Sequence, residues 1–160
     1  ECARYFDEHR ETCKQNRIRS SVERKTAMKP WHQFRHDNPT GFYVKEYSDH
    51  TFVVYQHPVS GHLNGYVLLN PEETIGDTMI IDCHGGITFE GDLAEIMPVQ
   101  AGNWIGFDCN HHIDMAPFLN EHFALLGYKF GVDYDEIWRD PDFVEENCKK
   151  IIDQLEGRGN

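Results

Sequence analysis

Long hydrophobic runs are missing from this 160-residue sequence. A membrane-spanning helix needs roughly 20 consecutive apolar residues; no stretch approaches that, so no membrane partner is expected. Paired cysteines are missing too. The five present, Cys2, Cys13, Cys83, Cys109 and Cys148, are odd in number and form no Cys-x-x-Cys unit. That argues against a disulfide framework or a zinc ribbon and for a reducing, cytoplasmic setting. No secretory-type leader is legible. Positive charge is scarce over most of the chain. Residues 37–160 hold six Lys/Arg against twenty-two Asp/Glu, a net −16, whereas residues 1–36 hold nine Lys/Arg against five acids, a net +4. Binding to a nucleic acid polymer depends on neutralising phosphates, so the acidic body is expected to take no part in it. A small anionic ligand would need a basic arm, backbone N–H groups or a metal.

What is present is ordinary apolar content, 39%, with ten Phe, seven Tyr and three Trp. That supports one core and a single domain over 1–160, made of a basic helical arm at 1–36 and an acidic α+β body at 37–160. Residues 3–28 lack Gly and Pro and read as one helix or two, ending before Pro30. Arg10, Lys14 and Arg17 share a face there. His32 and His36 have the i,i+4 spacing of helical metal ligands, but Gln33 stands where a zinc-protease helix carries Glu.

From Gly41 the pattern turns to strands. Segments 42–47 and 51–57 flank a Ser48-Asp49-His50 turn, and 62–69 follows, where Gly65 marks a bulge or a close backbone approach. Residues 72–77 read as exposed loop. Phe118, Leu119, Phe123, Leu125 and Leu126 suggest a short buried helix within 116–131. The last element is the clearest: Asp140 as N-cap, Pro141 at the first helical position and Gly157 as the stop. Val144, Cys148, Ile151, Ile152 and Leu155 fall on one face of that helix. The expected fold is therefore α+β: a mostly antiparallel sheet packed by a C-terminal amphipathic helix, with the basic N-terminal helix elsewhere.

The chemistry concentrates between residues 79 and 114. Two short apolar runs, at 79–81 and 104–107, read as buried strands, each ending in Asp, Cys, His and Gly. Two such ends facing each other would form a site. His84-Gly85-Gly86 permits a turn whose consecutive N–H groups face one anion. Asp108, His111 and Asp114 recur every three residues, so one helical turn would gather them. With His84 they form a carboxylate–imidazole set suited to a divalent metal, or, without metal, a hydrogen-bonding frame around a polar ligand. Cys109 and Cys148 are expected in the core rather than as reactive thiols.

The segments His84-Gly85-Gly86-Ile87-Thr88-Phe89 and Trp104-Ile105-Gly106-Phe107-Asp108-Cys109, followed by His111 and Asp114, resemble the signature of a group of small phage and prophage proteins. Gly65-Tyr66-Val67 and the closing segment from Trp138-Arg139-Asp140 to Leu155 are similar to the same pattern. The resemblance covers roughly residues 60–156. Relatives often carry a second Trp where this chain has Asn103. The resemblance implies phage origin and action in the host cytoplasm, without implying a reaction.

The expected function is binding of a small, nucleotide-like anion, by analogy with phage proteins that sequester immune signals. Trp104, Phe89 and Tyr66 would stack on a base; the Gly85 and Gly86 amides with an N-terminal Arg would hold phosphate; His84, Asp108, His111 and Asp114 would bond the rest. A metal-assisted hydrolase using His84, Asp108, His111 and Asp114 is the alternative. An acidic protein-binding inhibitor is a third, and it leaves the His/Asp cluster without a role. Small acidic binders of this size commonly pair, so a homo-oligomer falls within expectation.

Overall fold

The structure, a computed structural model, describes residues 27–76, 80–128 and 135–157. Five strands pair into one antiparallel sheet: β1 Phe42–Tyr47, β2 His50–Gln56, β3 Leu63–Leu68, β4 Phe89–Gly91 and β5 Trp104–Asp108, in the order β1-β2-β3-β5-β4. Among the described residues three helices accompany it, α1 Pro30–Asp37, α2 Pro117–Leu125 and α3 Pro141–Leu155, with a 3-10 turn at Leu93–Glu95. The α+β expectation holds, with α3 packed on β3 and β2. No described helix is long and apolar enough to cross a membrane.

The sheet separates two cores because side chains alternate along each strand. On one face Val54, Val67, Ile105 and Phe107 meet Val144, Cys148, Ile151 and Ile152 of α3. On the other, Val53, Tyr66, Leu68 and Trp104 pack with Leu93 and Met97. Gly65 lies where β3 passes under α3. A Cβ there would stand within 2.7 Å of Cys148 Sγ and collide with Phe107, which explains a glycine in mid-strand. The helix starts as read from the sequence: Asp140 Oδ1 accepts from Phe143 N at 2.9 Å, Pro141 opens the first turn, and Gly157 follows the end at φ +72°.

The β1–β2 turn has two residues, Ser48 and Asp49, at φ +47° and +59°, as a tight hairpin requires. His50 is thus the first residue of β2, and it is buried, with Nε2 2.8 Å from Glu73. At the β2–β3 turn, Ser60 Oγ bridges Nδ1 of His57 (2.9 Å) and Nδ1 of His62 (2.6 Å). The two rings stack at 5.1 Å.

The basic helix expected at 3–28 lies outside the described residues except for residues 27 and 28, and the described chain enters α1 at Pro30, whose fixed φ and missing N–H suit a first turn. Three expectations need correction. The run at 79–83 is no strand over its described residues. Its backbone is satisfied by α3 side chains instead of a neighbouring strand: Asp82 N donates to Gln154 Oε1 (2.7 Å), Gln154 Nε2 donates to Asp82 O (2.8 Å), and His84 N donates to Asn147 Oδ1 (2.9 Å). Ile81 and Cys83 are buried all the same, because they pack into the core cluster that α3 closes, not because they pair in the sheet. The helix at 116–131 exists as α2, but it is a surface helix, with Leu125 87% and Leu126 60% exposed. Finally, Asp108, His111 and Asp114 do not share a helical turn: Asp108 ends β5, and Ile113 at φ +72° breaks the path to Asp114.

Candidate functional site

Asp114 is the hub of the corner where the chemistry gathers. It follows the turn after β5 and is held in place by a short parallel bridge with Ile137, in which Ile137 N donates to Ile113 O and Met115 N donates to Ile137 O. Its side chain has no exposure. A buried carboxylate demands partners, and three donors supply them. His84 Nε2 donates to Oδ2 at 2.7 Å, His111 N donates to Oδ2 at 3.0 Å, and Arg139 Nε donates to Oδ1 at 2.8 Å. Burial pushes the Asp114 carboxyl up, but the bonds from His84, Arg139 and the His111 amide outweigh it and hold it below the usual carboxylate range.

His84 rides on the irregular 80–88 segment, fixed through its backbone to Asn147 and through its ring to Asp114. Because a carboxylate only accepts, Nε2 carries the proton and a neutral ring keeps its lone pair on Nδ1. The ring meets His111 and Phe143 edge-on at 5.2 and 5.1 Å. His111 Nδ1 stands 3.4 Å from Asp114 Oδ2 and 3.8 Å from Asp108 Oδ1, and it is buried with no hydrogen bond. Thr88 Oγ1 donates to the other Asp108 oxygen at 3.1 Å.

The geometry therefore brings together four residues singled out in the sequence, His84, Asp108, His111 and Asp114. Gly85 belongs with them for a reason of space. At φ +69° it lies under the His111 ring, and a Cβ there would collide with that ring. Gly86, at φ +79°, donates its N–H to Cys83 O at 3.0 Å, so that amide closes a turn instead of facing an anion.

The aromatic wall is not at this corner. Trp104 is fully buried in the core on the other face of the sheet, its Nε1 donating to Gln100 O at 2.9 Å. Tyr66 is 7% exposed and meets the half-buried Phe89 edge-on at 5.3 Å within the same cluster. Alternation along β5 sends Trp104 away from α3, the side on which Phe107 lies. His32 bonds Glu121 at 2.8 Å and His36 contacts Asp37 at 3.3 Å, so this pair gathers no shared ligand set. Cys109 is 1% exposed and Cys148 fully buried, and burial pushes both thiols well up, as inert core cysteines should be.

Arg139, Asn147 and Thr88 were not singled out as site residues from the sequence. Arg139 spends Nε on Asp114 and lays its guanidinium over Phe143, 4.9 Å from the ring centre. Nothing local flags it: its partner is 25 residues away in sequence, and only the bridge at Ile137 brings it in.

No family model, no curated protein and no solved structure matches this chain.

Proposed function

We propose that the chain binds a small anionic ligand at the corner formed by His84, His111, Asp108 and Arg139. The observation that carries this is the buried carboxylate of Asp114, committed to orienting one imidazole and one guanidinium that are each partly exposed, 19% and 18% at the side chain. Arg139 uses only Nε on Asp114, which leaves its Nη donors for a phosphate or carboxylate oxygen. His84 adds a hydrogen-bonding ring, and Asp108 an acceptor for a ligand hydroxyl or amine. By analogy with phage proteins that sequester immune signals, the ligand is proposed to be nucleotide-like and held without turnover; the phage resemblance supports action in the host cytoplasm. Turnover at the same corner is the competing reading, favoured by the grouping of His84, His111 and Asp114 ligand atoms within 4.8 Å.

The test is calorimetric titration of the protein, both with zinc supplied and after chelator treatment, with a panel of cyclic and ADP-ribose-type nucleotides. At least one should bind, and Arg139→Ala should weaken it tenfold or more while the protein stays folded by circular dichroism. Recovery of intact ligand after heat denaturation supports sequestration; cleaved product that disappears with chelator supports hydrolysis. Absence of binding across the panel, or binding indifferent to Arg139→Ala, overturns the proposal.

A further inference from the structure

We propose that this corner holds a divalent transition metal of the zinc class, bound by His84 Nε2, His111 Nδ1 and Asp114 Oδ2, with the fourth position open to water or ligand. This rests on reading the corner as a ligand site and names the cofactor that would make it one.

The orphan nitrogen of His111 points there. Nδ1 is shielded from solvent, makes no hydrogen bond, and faces two carboxylate oxygens at 3.4 and 3.8 Å. Between two anions that nitrogen must carry a proton or face a cation; a proton there makes no hydrogen bond, whereas a metal ion placed among the three grouped ligand atoms satisfies them all. Ligand atoms on a tetrahedral ion with bonds of 2.0–2.2 Å lie about 3.4 Å apart. The His111–Asp114 separation already has that value. The 2.7 Å between His84 Nε2 and Asp114 Oδ2 must open, by about 0.7 Å on the same tetrahedral geometry, as the proton of His84 moves from Nε2 to Nδ1. Two imidazoles with one carboxylate are a donor set such ions favour.

The surroundings are built for it. Arg139 holds the far oxygen of Asp114 and Asn147 holds the His84 backbone, which are the supports that fix metal ligands in place. Glycine at 85 provides the room that the His111 ring occupies. Charge closes the case. Asp108, Asp114 and Arg139 together carry a formal charge of −1, and a divalent ion turns the corner to +1. An acidic body then has a place to receive an anion.

Full-length protein stripped with chelator and titrated with zinc chloride alone should take up one equivalent with micromolar or tighter affinity. His84→Ala and His111→Ala should each weaken uptake at least tenfold, and His36→Ala should leave it unchanged. Should either site variant fail to fold, cobalt(II) added to the unaltered protein gives the second readout: tetrahedral d–d bands without a thiolate charge-transfer band support the site. No saturable uptake, uptake that survives both site substitutions, or an octahedral or thiolate spectrum overturns it. Zinc uptake as expected with no nucleotide bound removes the anion proposal alone; a nucleotide bound in chelator with no zinc uptake removes the metal alone.

Discussion

At the residue scale, Asp114 has the most to lose. Its charge is buried, and three donors from the 84, 111 and 139 positions depend on it. Removing one member of a buried pair leaves the other uncompensated, at a cost of 3–5 kcal/mol. Asp114→Asn keeps the shape but strands the Arg139 charge, so its urea-unfolding free energy should fall by about 3 kcal/mol. A loss under 1 kcal/mol on that measurement would mean that Arg139 reaches solvent freely. Asp108, half-buried and held by Thr88, the Asn110 N–H and a longer contact to His111, leaves no buried charge stranded and should tolerate the same change with little loss of stability.

At the element scale, the packing of α3 on β3 decides the fold, and at Gly65 the strand passes directly under Cys148 of the helix. Gly65→Ala introduces a methyl group onto Phe107 and Cys148 in a full core. Overpacking of this kind costs typically 1–3 kcal/mol. The melting temperature should drop by several degrees for a chain of this size. The double variant Gly65→Ala/Cys148→Ala should recover part of that loss; failure to recover would place the strain at Phe107 alone. The strand pairs and α3 were legible in the sequence because alternation and helical spacing are local patterns with clear ends at Ser48-Asp49, Asp140 and Gly157. The run at 79–83 was not, because burial against α3 gives the same apolar signature as burial in a sheet. The helix of α2 was legible but its burial was not, for the converse reason: Leu125 and Leu126 are apolar yet exposed, and sequence alone does not say which apolar face finds a partner.

At the scale of the whole molecule, pH should report on His62. Burial, with His57 beside it, pushes its imidazole from 6.5 down to about 4. A lowered folded-state value means that the unfolded chain takes up the proton first. Stability contributed by the neutral ring is therefore complete above about pH 6.5 and is lost as pH falls toward 4, a span worth about 3 kcal/mol by linkage. Urea midpoints should fall across that interval, and His62→Gln should flatten the slope. An unchanged slope would assign the acid sensitivity to other groups. Asp114, also lowered, adds its loss at more acid pH, below the ordinary carboxylate range.

From the sequence alone came the α+β class, the hairpin, the capped C-terminal helix, the burial of Cys109 and Cys148, and the short roster His84, Asp108, His111 and Asp114. Each follows from local spacing or from residue chemistry, which a linear chain displays. Tertiary structure decided the rest. It put Trp104 in the core on the other face of the sheet, set Gly85 against the His111 ring, and brought Arg139 onto Asp114 across 25 residues. Those outcomes depend on which side of the sheet each strand residue faces and on a single bridge at Ile137, and long-range pairing of that kind leaves no mark in the order of the residues.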